Sequence, residues 1–181
     1  MRKYLVIICL TVMAFTYCDA QSHPIDVGSK CPLFSLQDQD GKTFNMKDSI
    51  GNNIFVIFFY PKDASPVCTK EACTFRDSMD FFKEMGVQVI GINQGDVKSH
   101  KKFQEDSHLT YELLSDPDKT VIKQFGVRNG LLDQRVAFVV DITGQIVFEC
   151  SSTLDGAKHV REALAFVRQM KKKQAGSPTG N

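Results

Sequence analysis

The sequence predicts an α/β fold: a central mixed β-sheet flanked by helices on both faces and opened by an N-terminal β-hairpin. Three observations carry this. A turn signal, Asp40-Gly41, stands between two short runs of strand character near the start. Beyond it, apolar runs of strand length alternate with longer stretches of helical period. The run Ile54 to Tyr60 is apolar without interruption, as a strand buried on both faces requires.

Taken in order, Leu33 to Leu36 and Thr43-Phe44 flank Asp40-Gly41, a dipeptide suited to a tight hairpin turn. Ile54 to Tyr60 is the buried strand, and Pro61 ends it. Ser65-Pro66 supplies an N-cap residue followed by a proline at the first helical position, so a helix is expected from about Pro66 to Met85. Val87 to Asn93 returns to strand, Val97 to Ser107 to helix, Glu112 to Leu114 to a short strand and Asp118 to Phe125 to helix. Arg135 to Asp141 and Gln145 to Cys150 are strands about a Thr143-Gly144 turn. The last helix is expected from about Leu154 to Met170, and Lys171 to Asn181, with its lysines, glycines, serine and proline, reads as a solvated, disordered tail.

With 181 residues, 43% apolar and 24% charged, the chain can bury one sizeable core, and no repeat or second domain is visible. The first twenty residues stand apart from that core. Met1 to Tyr4 is a short positive region, Leu5 to Phe15 an apolar run, and Cys18-Asp19-Ala20 offers small residues before Gln21. Residues 1–20 therefore read as a signal peptide too short for a permanent anchor, followed by one domain over 21–170. A lipid-modified Cys18 is the competing reading, and the bulky Tyr17 before it argues against that. The expected destination is extracytoplasmic, secreted or periplasmic, with no stable membrane insertion after cleavage. Removing Arg2, Lys3 and Asp19 balances the 22 basic and 21 acidic residues, and a neutral surface does not invite nucleic acid or an anionic membrane.

Chemistry concentrates at Cys68. It stands just past a strand, in the first turn of the expected helix, where unpaired backbone N–H groups and the helix dipole favour an anion. Sites of that kind turn thiols into thiolates near neutral pH. Cys73 follows five positions on. Along a helix that spacing gives a rise of about 7.5 Å and a rotation of about 140°, so the Cα atoms stand about 8.7 Å apart, whereas a disulfide needs about 4.4 to 6.8 Å. A bond between them requires the first turn to unwind, which fits a redox switch. An ordinary stabilising disulfide and two unrelated core thiols stay open on geometry alone. Cys68, Ala72, Phe75, Met79 and Phe82 recur at intervals of four and three on one apolar face, and Cys73 points elsewhere.

The remaining candidates are plainer. Cys31 and Cys150 read as packing thiols, although either can resolve an oxidised Cys68. His23, His100, His108 and His159 show no metal-ligand spacing with the cysteines and read as surface or structural residues. Glu71 and Arg76 read as ordinary helical pairs, Asp63 as a loop residue, and Lys98, Lys101 and Lys102 as a solvated face. No phosphate-binding glycine loop or dinucleotide fingerprint is present.

The stretch from Tyr60 to Asp77, with its pattern Pro61, Ser65, Cys68, resembles the active-site segment of the Q-type peroxiredoxins. These are the bacterioferritin-comigratory-protein-like thiol peroxidases of the alkyl hydroperoxide reductase/thiol-specific antioxidant family. Arg135-Val-Ala-Phe-Val-Val-Asp141 followed by Gly144 matches the family's late strand and its arginine, and the similarity spans roughly residues 24 to 170. The resemblance implies a thioredoxin-like fold and a thioredoxin-dependent peroxidase that reduces hydrogen peroxide and organic hydroperoxides to water and alcohols. It implies Cys68 as the peroxidatic cysteine and Cys73 as the resolving one. Arg135 would hold the thiolate, Ser65 would hydrogen-bond the substrate, and Pro61 would shield the sulfenate. It implies no cofactor and no metal, a thioredoxin-like dithiol reductant as partner, and a monomer, with a dimer as the alternative.

Two departures stand out: Val67 where the family often has glycine, and Asn93-Gln94-Gly95-Asp96 after the third strand. Ser65 replaces the commoner threonine and keeps the hydroxyl. A secreted thiol-disulfide oxidoreductase would separate its cysteines by two residues, and here four intervene. A metal-carrying thioredoxin-like protein would need a histidine beside the cysteine pair, and the flanking sequence has none.

Overall fold

The computed structural model describes residues 25–127, 135–152 and 154–176. The expected signal peptide and the last five residues of the expected tail lie outside this range.

Seven strands form one mixed sheet in the order β2-β1-β5-β4-β3-β6-β7. The hairpin β1 (Ser35–Asp38) and β2 (Thr43–Asn45) closes through Asp40-Gly41, with Gly41 at φ 75 as a tight turn demands. A single helical turn, α1 (Met46–Ser49), follows, too short to show a helical period in the sequence; it buries Met46. β3 (Ile54–Phe59) pairs in parallel with β4 (Val87–Asn93), and β4 with β5 (Glu112–Ser115). On its other side β3 pairs antiparallel with β6 (Val136–Val140), which pairs with β7 (Ile146–Ser151). The α/β prediction and its initial hairpin are borne out.

Because strand side chains alternate, β3 supplies two cores at once. Val56 and Phe58 face the cluster that includes Phe75, Phe103, Ala163 and Val167. That cluster lies under α2 (Pro66–Asp77), α4 (Val97–Ser107) and α6 (Gly156–Gly176). Phe55, Ile57 and Phe59 face the opposite cluster with Met46, Phe125 and Phe138, under α1 and α5 (Thr120–Gln124). Phe58 lies opposite Gly91 in the β3–β4 register. A Cβ at Gly91 would stand 2.7 Å from Phe58 Cζ. The bare glycine lets that ring settle and stack on Phe75 of α2 at a centroid distance of 4.4 Å. This contact seats α2 on the sheet.

Two expectations are corrected. The helix from Pro66 to Met85 is broken: α2 ends at Asp77, and α3 (Met79–Glu84) starts afresh after Ser78. The Ser78 hydroxyl donates to the Thr74 carbonyl at 2.9 Å and its N–H to Phe75 O at 3.0 Å, a local arrangement that competes with the helical ladder. The apolar face survives the break: Ala72, Phe75, Met79 and Phe82 are all buried. The disordered tail is also corrected in part, because α6 runs on to Gly176. Lys171 to Lys173 are good helix formers, and their charges suit a helix C-terminus. No helix among the described residues is long and apolar enough to cross a membrane.

Candidate active site

β3 delivers the chain to Tyr60, and a five-residue loop then turns it into α2. Ala64 adopts the left-handed conformation at φ 55, a strained setting for a residue with a Cβ. The loop is tied down through Asp63, which is buried rather than an ordinary loop residue. Asp63 Oδ1 accepts from the Tyr60 hydroxyl and from Asn93 Nδ2, each at 2.8 Å. Its Oδ2 accepts from the Ser99 hydroxyl at 2.5 Å and faces His100 Nδ1 at 2.8 Å. Burial works against the charge on Asp63, yet the bonds from His100 and Ser99 outweigh it and hold the carboxyl below its ordinary range. Asn93, read only as a departure from a pattern, is one of the anchors.

Ser65 takes the N-cap position of α2 and Pro66 the first helical one, as expected. The Ser65 side chain does not cap the helix. Its hydroxyl lies 2.7 Å from Cys68 Sγ instead. Cys68 is buried, at 1% exposure. Arg135 reaches the same sulfur from the residue before β6, in register beside β3, with Nη2 at 2.9 Å. The other guanidinium nitrogen, Nη1, donates to Glu71 Oε2 at 2.6 Å. Burial opposes the charge on Arg135, while the bond to Cys68 and the charge of Glu71 more than offset it and raise the guanidinium's hold on its proton. Glu71 completes its shell with His159 of α6, whose Nδ1 lies 2.6 Å from Oε1.

Ser65, Cys68 and Arg135 are therefore brought together from a loop, a helix and a strand end. Pro61 stands half-buried at the exit of β3 and takes no part in this hydrogen-bonded group. Cys73 is not brought to Cys68: both thiols are free and sit in the same unbroken helix, with Cys73 only partly covered. Cys31 and Cys150 are buried elsewhere. Burial pushes the Cys31 thiol up to about 12, and burial likewise raises that of Cys150.

Glu71 and His159 are functional candidates that sequence reasoning passed over. Glu71 carried a signal: an acidic side chain one turn after Cys68, on the flank of an apolar stripe, needs a buried partner. His159 carried none, because its partner lies 88 residues away.

The AhpC/TSA family model matches residues 27–149. The chloroplastic peroxiredoxin Q of Suaeda salsa is 40% identical over 149 residues, covering 81% of this chain and 69% of its own. The chloroplastic peroxiredoxin Q of Arabidopsis thaliana is 40% identical over 147 residues, covering 80% and 68%. Among solved structures, the peroxidoxin BcpB of Mycobacterium tuberculosis superposes with a TM-score of 0.76 at 36% identity, covering 80% of this chain and 97% of its own. The bacterioferritin comigratory protein of Xanthomonas campestris, described for its alkyl peroxide reduction activity, gives 0.71 at 26% identity over 76% and 91%.

Relatives named as chloroplastic proteins overturn the expectation of a secreted or periplasmic protein. That expectation rested on a basic start followed by an apolar run, features that are not peculiar to secretion.

Proposed function

The chain belongs to the AhpC/TSA family and is a thiol-dependent peroxidase of the peroxiredoxin Q kind with a thioredoxin-like fold, and from that premise we propose that Cys68 is its peroxidatic cysteine. The observation that carries this is the convergence of Ser65 Oγ and Arg135 Nη2 on Cys68 Sγ. Two donors aimed at one sulfur fix its position and remain in place for the charge that develops on a peroxide.

The sulfur attacks the terminal oxygen of a hydroperoxide. The S–O bond forms, the O–O bond breaks, and the alkoxide or hydroxide leaves as alcohol or water after taking up a proton. Cys68 is then a sulfenic acid. Arg135 holds the reacting oxygens electrostatically, Ser65 hydrogen-bonds the substrate, and Pro61 shields the nascent sulfenate from water. Cys73 displaces the hydroxyl from the sulfenic acid, forming the S–S bond and releasing water, and a thioredoxin-like dithiol returns both thiols. The helical geometry makes this step conditional on unwinding the turn between the two cysteines.

The working unit we propose is the monomer, because Ser65, Cys68, Glu71, Arg135 and His159 all come from one chain. Residues 1–20 act as a removable targeting leader ahead of the catalytic domain. Rapid mixing of the reduced protein with hydrogen peroxide tests the assignment. Consumption far faster than by free cysteine, lost in Cys68→Ser, is the expected result, and a Cys68→Ser variant that keeps its rate would sink it.

A further inference from the structure

Glu71 lies between the two cysteines in sequence, and its carboxylate is enclosed on both sides. It is fully buried, with Arg135 on one oxygen and His159 on the other. With Nδ1–H donating to Glu71, His159 Nε2 finds no hydrogen-bond partner among the described residues. The ring is committed to Glu71 alone. The first residue of α6 fits the same carboxylate closely: a methyl added at Gly156 would stand 2.5 Å from Glu71 Cβ and 2.9 Å from Oε2. Two positions of α6, one turn apart, are thus shaped around one side chain of α2.

For Cys73 to reach Cys68, the turn that carries Glu71 has to come apart. A carboxylate gripped by a guanidinium and an imidazole resists that movement, since leaving means breaking both charge-assisted contacts. A second brace, from the Tyr111 hydroxyl to the Ala72 carbonyl at 3.0 Å, holds the same turn through its backbone.

We propose that His159 is a positioning residue: its contact with Glu71 latches the first turns of α2 in the wound state and sets the rate at which Cys73 reaches the oxidised Cys68. The inference rests on the assignment of Cys68 as peroxidatic and Cys73 as resolving. The latch favours the peroxide-reducing conformation and lengthens the life of the sulfenic acid. A tighter latch therefore leaves more time for a second peroxide to convert the sulfenic to the sulfinic acid, with one more S–O bond formed and one more water or alcohol released.

The test uses the full chain in wild-type, His159→Leu, His159→Asn and Gly156→Ala forms. In the reduced state, amide hydrogen exchange over residues 69–73 is expected to rise about tenfold in His159→Leu and to return close to wild type in His159→Asn, whose amide can donate where Nδ1–H stood. After mixing with one equivalent of hydrogen peroxide, mass analysis of quenched samples is expected to show disulfide forming about tenfold faster in His159→Leu, with less sulfinic acid at high peroxide. Exchange and disulfide rates unchanged in His159→Leu, or equally raised in His159→Asn, overturn the proposal. Should His159→Leu not fold, Gly156→Ala carries the test: it keeps the imidazole but displaces Glu71, and unchanged exchange there overturns the latch. A wild-type chain that forms no sulfenic acid at Cys68 overturns the underlying assignment, and shows it in the oxidation products rather than in the exchange.

Discussion

Cys68 and Glu71, one helical turn apart, are bridged by a single guanidinium: Arg135 places Nη2 2.9 Å from the sulfur and Nη1 2.6 Å from the carboxylate. The Cys68 sulfur and its helix are therefore held by one planar group whose two ends have different duties. Release of either end loosens the other.

Replacing Arg135 with lysine keeps a charge but loses the fork, since a single ammonium cannot serve the sulfur and Glu71 at once. The rate constant for reaction with hydrogen peroxide is expected to fall about 10²- to 10³-fold in Arg135→Lys. Stopped-flow competition against a reference peroxidase measures it, and a fall of less than about tenfold would show that the fork is dispensable.

Cys73→Ser leaves every contact of the reduced site in place, because Cys73 makes no hydrogen bond with Cys68 and lies outside its shell. The first oxidation of Cys68 is expected at the wild-type rate, followed by turnover slowed with thioredoxin and accumulation of sulfinic acid. Steady-state turnover equal to wild type with every dithiol tested would assign resolution to another thiol.

Asp63 predicts a loss of stability on the acid side. Burial, the largest influence, raises its pKa, but the bonds from His100, Ser99 and Tyr60 bring the folded value below the ordinary one. The unfolded chain, with a pKa of about 3.9, takes up the proton first as pH falls. The stabilisation is thus complete above about pH 5 and is lost as pH drops through the folded value. Urea unfolding of Asp63→Asn against wild type is expected to give a gap that is constant near neutrality and narrows below about pH 4. A gap independent of pH would contradict the assignment.

Cys31 predicts the opposite limb. Its folded pKa is pushed up to about 12 by burial, while the unfolded thiol ionises near about 8.5. The stabilisation is complete below the unfolded value and is lost as pH rises towards the folded one, with a slope of up to about 1.4 kcal/mol per pH unit for one proton. In Cys31→Ala that component of the alkaline slope is expected to vanish, as unfolding curves between pH 8 and 11 would reveal. An unaltered slope would place the sensitivity elsewhere.

Much of this was legible in the chain itself. β4 and α4 fall at the limits expected from Val87 to Asn93 and Val97 to Ser107, because each is bounded by residues that cannot continue it: Gly86 lies at φ 66, and Asp96 caps α4 by accepting from Ser99 N–H. Cys68 stood out because a proline and an N-cap place it locally in a first helical turn, whereas Arg135 and the role of Ser65 came from the resemblance to the peroxiredoxins. The break at Ser78 was hidden because it depends on a hydroxyl bonding back to Thr74, which no apolar periodicity records. The Glu71–His159 contact and the Asp63 anchor were hidden because each joins elements distant in sequence. Helical period and turn chemistry are local, whereas a buried carboxylate's partner is chosen by the tertiary fold.

One consequence concerns the order in which the molecule is made. His159 belongs to α6, which follows every strand and every other described helix. The sheet can close, and Ser65, Cys68 and Arg135 can meet, once β7 has emerged from the ribosome. Glu71 must still wait for the next part of the message to be translated before its second oxygen is satisfied. During that interval the nascent thiol would stand on a helix whose first turns lack their final restraint, so oxidation met during synthesis would find the two cysteines freer to join than in the finished enzyme.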